Sequence, residues 1–358
     1  YDAIMFSGGI IDSLYNPKIA ALRMPTREEQ KASISDYDGA HSIAIKPFSD
    51  YSHLIDVEID GQKAKLMLSV SHGGAGNINS TDLGSLKSFI QLQFDSPQEF
   101  VTIHRYIRVI KATLAVLAQQ NNIEFDVSIK QKTENDKFMQ TGICKVFMDN
   151  EDFYKPKNHQ VVSIQSLLDY LPQIIRVIAG GEAATILALL PERNKDRKGI
   201  TITNVQDLCT ALEAEYNMSS SKEPTAKDTT IRELRKKIKS AVKEFATNDT
   251  GIDPNTETTI SSCFQYLDLD LKNKIFSLYE KHKAAVDAVR QKYGLPDMTV
   301  ESIGKFVQLR NTKAHTGRIA WSDSANQYTA LFVLAYSCFF ARAGVPKENM
   351  STILLQMF

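Results

Sequence analysis

The chain has few cysteines, and none has the short spacing at which cysteines usually bind metals or act in redox reactions. Its 358 residues contain four, which are Cys144, Cys209, Cys263 and Cys338. No two of them are close in sequence, so there is no CxxC motif, and each lies among apolar neighbours. A disulfide framework is typical of much shorter secreted chains. We therefore expect reduced core thiols in a cytoplasmic protein.

The sequence also lacks an excess of either charge and lacks a long hydrophobic run. Lys+Arg and Asp+Glu both number 42, which argues against a basic coat for non-specific nucleic-acid binding but not against a local basic site. A membrane span needs about 18 apolar residues, whereas the longest candidate, residues 328–345, is interrupted by polar residues and Arg342. The chain starts at Tyr1, without a methionine or a signal-like stretch, so we expect a trimmed N terminus, a cytoplasmic location and no membrane.

Motifs for nucleotide or metal chemistry are incomplete. Residues 71–77, SHGGAGN, lack the GK[ST] ending of a phosphate-binding loop, so they are interpreted as a loop after a strand. Residues 104–111, HRYIRVIK, have no Asp after the Arg, which argues against a kinase catalytic loop. The seven histidines form no pair with metal-ligand spacing. The sequence therefore predicts no cofactor and no metal ion.

Hydrophobic periodicity indicates a β-rich first part. Segments that alternate apolar and polar residues are 41–48, 53–70, 87–96 and 124–133, with a further short strand at 144–149. Asp60-Gly61 lies within the second of these and predicts a hairpin turn. A helix that begins at Ser96-Pro97 interrupts this part, and residues 6–12 are interpreted as a strand that turns at Gly8-Gly9.

The second part has helical periodicity. The predicted helices are 163–180, which contains Pro172, then 204–216 with Asn204 as its cap, 229–246, 272–293, one that carries residues 300–315, and 324–343. The sequence thus predicts an α+β protein with a β-rich N-terminal domain, residues 1–200, followed by an all-α helical bundle, residues 201–358. The boundary is expected between residues 160 and 205.

One helix combines an apolar stripe with a polar end, QLRNTKAHTG at residues 308–317. At about 100° per residue, the stripe is formed by Val300, Ile303, Val307 and Ala314. Arg310 falls inside this stripe, and Asn311 and His315 lie just past its edge. Burying an unpaired charge costs several kcal/mol, so Arg310 needs an anionic partner, a site open to water, or a second subunit that shapes such a site.

Arg310 and His315 can converge on one small anion, and Asn311, one turn before His315, can orient the imidazole. An arginine and a histidine around a phosphate suffice to cleave RNA through its own 2′-hydroxyl, without a metal. In the structural alternative, Arg310 pairs with a carboxylate on a neighbouring helix, such as Asp287 or Glu280. His315 would then only stabilise a helix C-terminus.

The motif RNTKAH, from Arg310 to His315, resembles the Arg-Asn-x-x-x-His signature of HEPN domains, which lies on a late helix followed by one more helix. Residues 208–216, LCTALEAEY, resemble the first helix of HEPN domains at the C terminus of ApeA-like antiphage proteins, which also carry a large β-rich N-terminal domain. The resemblance implies Arg310 and His315 as catalytic residues and Asn311 as a supporting polar residue. It also implies a metal-independent endoribonuclease formed by a homodimer, with tRNA as a plausible target in abortive phage defence.

Two other functions stay open at this stage. In one, the HEPN-like domain is a non-catalytic dimerisation scaffold, and the N-terminal domain binds a phage-derived protein or ligand. In the other, the chain is a toxin held in check by a partner nucleotidyltransferase that modifies a tyrosine. That form is usually a short single domain, which the N-terminal half of this chain argues against.

Overall fold

The structure is a computed structural model that describes residues 1–23, 26–28, 44–73, 85–147, 161–192, 196, 199–219, 226–248, 270–313 and 321–358. An antiparallel sheet lies in the N-terminal part and helices predominate in the C-terminal part, which confirms the predicted α+β class. The chain forms two compact units, Tyr1–Gly199 with Phe339–Phe358, and Ile200–Cys338. The last residues thus belong to the first unit by packing, while the domain bounds 1–200 and 201–358 stay a prediction.

The first unit is built on a 6-stranded sheet in which all neighbours are antiparallel. The strands of the described residues are β1 Ala3–Ser7, β2 Leu22–Arg23, β3 Ala44–Ile45, β4 His53–Ile59, β5 Gln62–Gly73, β6 Ser85–Gln93, β7 Phe125–Lys132 and β8 Phe138–Val146. The order in the large sheet is β4-β5-β6-β1-β7-β8, and β2 pairs only with β3. The predicted hairpin turn between β4 and β5 is confirmed, since Asp60 and Gly61 have φ of 50° and 80°.

One face of this sheet carries the core of the unit. Ile4 of β1 lies opposite Leu92 of β6 and Ile129 of β7, and Ile4 and Leu92 are fully buried. The alternate residues point to the other face, where Lys65 pairs across the strands with Gln93. Because successive side chains in a strand point to opposite faces, the alternation of apolar and polar residues determines which face of the sheet is the more buried one.

Short helices complete the first unit. Those with bounds in the described residues are α1 Gly9–Leu14, α2 Pro17–Ala21, α3 Phe48–Tyr51, α4 Ile103–Ala118, α5 Leu171–Ala179 and α6 Ala184–Ala188, together with α12 Lys347–Met357. The helix predicted from Ser96-Pro97 begins only at Ile103, after a 3-10 turn. The helix predicted over 163–180 is a 3-10 turn followed by α5, which begins one residue before Pro172, because proline fits the first turn of a helix but not its interior.

The second unit is helical. Its helices in the described residues are α7 Ile202–Ser219, α8 Ala226–Asn248, α9 Leu271–Tyr293, α10 Val300–Lys313 and α11 Trp321–Arg342, the last of which ends in the first unit. Helices α7, α9 and α10 pack against one another. Their fully buried contacts include Leu208, Leu212, Val286 and Ile303. Asn204 was predicted as the cap of α7, but Thr201 is the cap and Asn204 accepts a hydrogen bond from the Thr201 amide at 2.8 Å.

The cysteine predictions can be compared with the structure at three positions. Cys209 and Cys338 are buried as expected, and Cys144 is half-buried. Cys263 lies outside the described residues. No helix within the described ranges is both long enough and apolar enough to cross a membrane.

Candidate functional site

A buried arginine fixes the connection between α9 and α10, the helix that carries the motif. Helix α9 ends at Gly294, whose φ of 62° is left-handed and suits glycine. Arg290, on the last turn of α9, donates to the carbonyls of Leu295 and Pro296 at 2.9 and 2.6 Å. It also pairs with Asp287 at 2.9 Å and with Asp297 at 2.7 Å. This side chain therefore ties the loop back onto α9.

Helix α10 then begins with a reciprocal cap. The amide of Ser302 donates to Thr299 Oγ1 at 3.1 Å, and the amide of Thr299 donates to Ser302 Oγ at 2.9 Å. Such a pair satisfies amides that have no partner within the helix. The loop and the cap together set where α10 starts.

The packed face of α10 differs from the predicted stripe. Ile303 is fully buried as predicted, and Phe306, outside the predicted stripe, is also buried, at 2 % exposed. Val300 and Val307 are only half-buried. The predicted stripe follows residues at the border of the buried face, because helical spacing within one segment does not indicate where the neighbouring helices lie. The border faces a cleft instead, and Ala314 lies outside the described residues.

This cleft lies between the start of α9 and the exposed side of α10, and its volume is about 780 Å³. Its lining residues are Asp270, Leu271, Lys272, Val300, Glu301, Gly304, Lys305, Val307, Gln308 and Arg310. Two of its lysines already have partners, since Lys272 lies 3.2 Å from Asp270 and Lys305 lies 2.9 Å from Glu301. The charge that remains for a ligand is that of Arg310.

Arg310 is half-buried at the last turn of α10. Within the part of the chain that the structure describes, no carboxylate lies at ion-pair distance from it. Asp287, one partner expected in the structural alternative, is instead held by Arg290 and by the hydroxyl of Tyr279 at 2.8 Å. The other, Glu280, is exposed and forms no ion pair with Arg310. Arg310 is thus a cation that faces a cleft without an acidic partner from these helices.

The two other predicted site residues are described only in part or not at all. Asn311 belongs to α10 by its backbone, and its side chain lies outside the described part of the structure. His315 also lies outside the described residues. Their arrangement around Arg310 therefore stays a prediction.

Helix α7 packs against α10 and carries Cys209, which the sequence predicted as a core thiol, and Glu213, which it did not single out. Burial raises the pKa of the Cys209 thiol to about 11, the charge of Arg310 opposes this shift, and that of Glu213 adds to it. Cys209 is therefore a protonated core thiol rather than a nucleophile. Glu213 lies one helical turn after Cys209 on α7. Glu213 accepts from Lys274 of α9 at 2.7 Å.

The other stretches singled out in the sequence lie in separate elements of the first unit or outside the described residues. Residues 71–73 end strand β5, and residues 74–77 lie outside the described residues. Residues 104–111 lie within α4, where Arg105 lies 3.7 Å from Asp60. Among the residues that the structure covers, no group of three or more His, Cys, Asp or Glu side chains could hold a metal ion.

Comparisons with known proteins add no assignment to this geometry. The chain matched no protein-family model, no curated protein and no solved structure.

Proposed function

We propose that the chain is a metal-independent endoribonuclease of the HEPN type that acts in bacterial phage defence. The observation that carries the proposal is Arg310, a half-buried guanidinium that borders a cleft and has no carboxylate partner in the described residues. Keeping such a charge without a partner costs stability. A ligand anion that it binds explains why that cost is tolerated.

In the proposed reaction, Arg310 binds the scissile phosphate of RNA with two parallel hydrogen bonds and stabilises the charge that develops on it. The 2′-oxygen attacks phosphorus, and its proton passes to a general base. The bond from phosphorus to the 5′-oxygen breaks, and that oxygen takes a proton from a general acid. The products are a 2′,3′-cyclic phosphate and a 5′-hydroxyl.

We assign the proton transfers to His315, because imidazole exchanges protons near neutral pH. We assign Asn311 the role of orienting that imidazole through its amide. Two such motifs, one from each copy of a homodimer, would form the complete site. The β-rich domain would act as sensor for a phage-derived trigger, and tRNA is the plausible target.

The experiment compares purified wild type with Arg310→Ala, Arg310→Lys, Asn311→Ala and His315→Ala on total tRNA in the presence of EDTA. We expect Arg310→Ala and His315→Ala to cleave at least about 100-fold more slowly. Arg310→Lys keeps the charge at the helix C-terminus but loses the bidentate geometry, so partial activity is expected. Arg176→Ala is the control, since Arg176 is an exposed arginine of the first unit.

Two results would contradict the proposal. One is equal cleavage by wild type and all variants, which would indicate a contaminating ribonuclease. The other is no cleavage by wild type under any trigger, together with no growth arrest on overexpression. That second result would favour the non-catalytic scaffold, in which the N-terminal domain carries the function.

A further inference from the structure

The ion pair between Glu213 and Lys274 lies one helical turn from the start of α9, where Leu271 and Lys272 line the cleft together with Arg310. It joins α7 to α9, with Lys274 Nζ 2.7 Å from Glu213 Oε1 and side chains that are 15 % and 37 % exposed. Lys274 is thus the more buried partner. Its aliphatic chain is buried, and its ammonium group is bound to the carboxylate of Glu213. The pair is better shielded from solvent than the lysine pairs on the rim of the cleft.

Glu213 lies one helical turn after Cys209 on α7, so the two side chains are on the same face of the helix. The Cys209 thiol responds to the charges of both Glu213 and Arg310. Glu213 is therefore a carboxylate on α7, a helix that packs against both α9 and α10. In the described residues it is bound by Lys274 rather than by Arg310.

We infer that Lys274 is a positioning residue, which occupies Glu213 and so leaves the Arg310 guanidinium available for a substrate phosphate. This role rests on the proposed function, since Arg310 must be available for a phosphate only if it binds one. The first test below does not depend on RNA cleavage. Without the lysine, Glu213 would be a half-buried carboxylate without a partner. Arginine is the residue type best suited to pair with it, because its planar guanidinium matches a carboxylate with two hydrogen bonds.

An internal carboxylate competes with a substrate phosphate for the same guanidinium. Because it is tethered to the protein, it does so at high effective concentration. Loss of Lys274 should therefore weaken substrate binding more than it slows the chemical step. This signature differs from that of a residue that only maintains the fold, whose loss lowers the active fraction without raising KM.

The first test reads the state of Arg310 without any RNA. Phenylglyoxal modifies accessible guanidinium groups, and mass spectrometry of the digested protein measures modification of Arg310 relative to the exposed Arg108. Four proteins are compared, namely wild type, Lys274→Met, Glu213→Gln and the double variant. We expect Lys274→Met to slow modification of Arg310 by about fivefold or more. Glu213→Gln and the double variant should react at the wild-type rate.

The second test measures cleavage of tRNA by the same proteins. Lys274→Met should raise KM about tenfold with a smaller effect on kcat, and the double variant should return close to wild type. Lys281→Met is the control, because Lys281 is an exposed lysine of the same helix α9. Its loss removes the same charge without releasing Glu213, so both readouts should stay at the wild-type value.

The outcomes separate this inference from the proposed function. If Lys274→Met leaves Arg310 as reactive as in wild type, the inference is wrong. It is also wrong if the double variant stays as slow as Lys274→Met, since the lysine would then act by itself. If the reactivity pattern is as expected but wild type cleaves no RNA, Lys274 does position Arg310 and the ribonuclease proposal is what fails.

Discussion

Replacing Arg290 by alanine should destabilise the helical unit by about 3 kcal/mol. Arg290 is 9 % exposed, and it makes four contacts with the end of α9 and the loop that follows. The pair with Asp297 adds less than about 1 kcal/mol, because the Asp297 side chain is 85 % exposed. The larger part of the lost stability comes from the carbonyls of Leu295 and Pro296, which lose a charged hydrogen-bond donor.

The stability lost in Arg290→Ala should depend on pH, because Asp287 is one of the partners of Arg290. Burial alone would raise its pKa, but hydrogen bonds from Arg290, Tyr279 and Lys283 outweigh burial, and the pKa lies below 3.8. A carboxyl group whose pKa is lowered on folding stabilises the fold above its unfolded pKa. That contribution is lost as the pH falls through the lowered value. Removing Arg290 should make this loss of stability at acid pH smaller.

The measurement is urea unfolding of wild type, Arg290→Ala and Arg290→Lys, with hydrogen exchange to locate the change. We expect faster exchange over residues 290–303 in Arg290→Ala and a smaller effect in Arg290→Lys, which keeps the charge but not the fork of donors. Lys283→Ala is the control, since its pair with Asp287 lies on the surface, where Lys283 is 52 % exposed. A loss below about 1 kcal/mol for Arg290→Ala would refute the reasoning.

Three further predictions concern single residues of the fold. Burial lowers the pKa of His53 below 6.5, so its neutral form is favoured on folding. The unfolding free energy should therefore fall as the pH drops below about 6.5, less so in His53→Phe, and an unchanged pH dependence in that variant would contradict this. Gly294→Ala should cost about 1 kcal/mol in urea unfolding because φ there is 62°. Gly9→Ala should leave the free energy of unfolding nearly unchanged, because a Cβ there meets no atom within 4 Å. Equal losses in the two variants would contradict the explanation from the left-handed backbone of Gly294. Thr299→Ala should cost about 1 kcal/mol by removing the cap of α10, whereas Thr299→Ser should retain most of it; a loss in both would assign the effect to packing.

Local patterns predicted the elements whose causes are local. The hairpin at Asp60-Gly61 depends on two residues that accept positive φ, and the end of α9 at Gly294 has the same origin. Strand β1 was indicated only as a strand that turns at Gly8-Gly9, and nothing marked it as central. It lies between β6 and β7, and its partners lie far away in sequence. Its position follows from packing, which a short apolar run does not encode.

The residues of the candidate site also differ in whether a local pattern or only the packing of helices indicates them. Arg310 was found from the spacing within one helix, and the structure places it at a cleft. Glu213 and Lys274 were not found, because they lie on two other helices and look like ordinary surface residues in the sequence. Their ion pair forms only through the packing of α7 against α9, and both of these helices also pack against α10. The predicted packing stripe was wrong in part for the same reason, since Val300 and Val307 border the cleft.

The most direct test of the ribonuclease proposal is to map RNA ends in cells that express wild type, Arg310→Ala or His315→Ala at equal levels, both with and without phage infection. The proposal predicts new ends with 2′,3′-cyclic phosphates in the wild type, with tRNA as the expected source, and their loss in both variants. The same new ends in all three strains, or none in any of them, would contradict it.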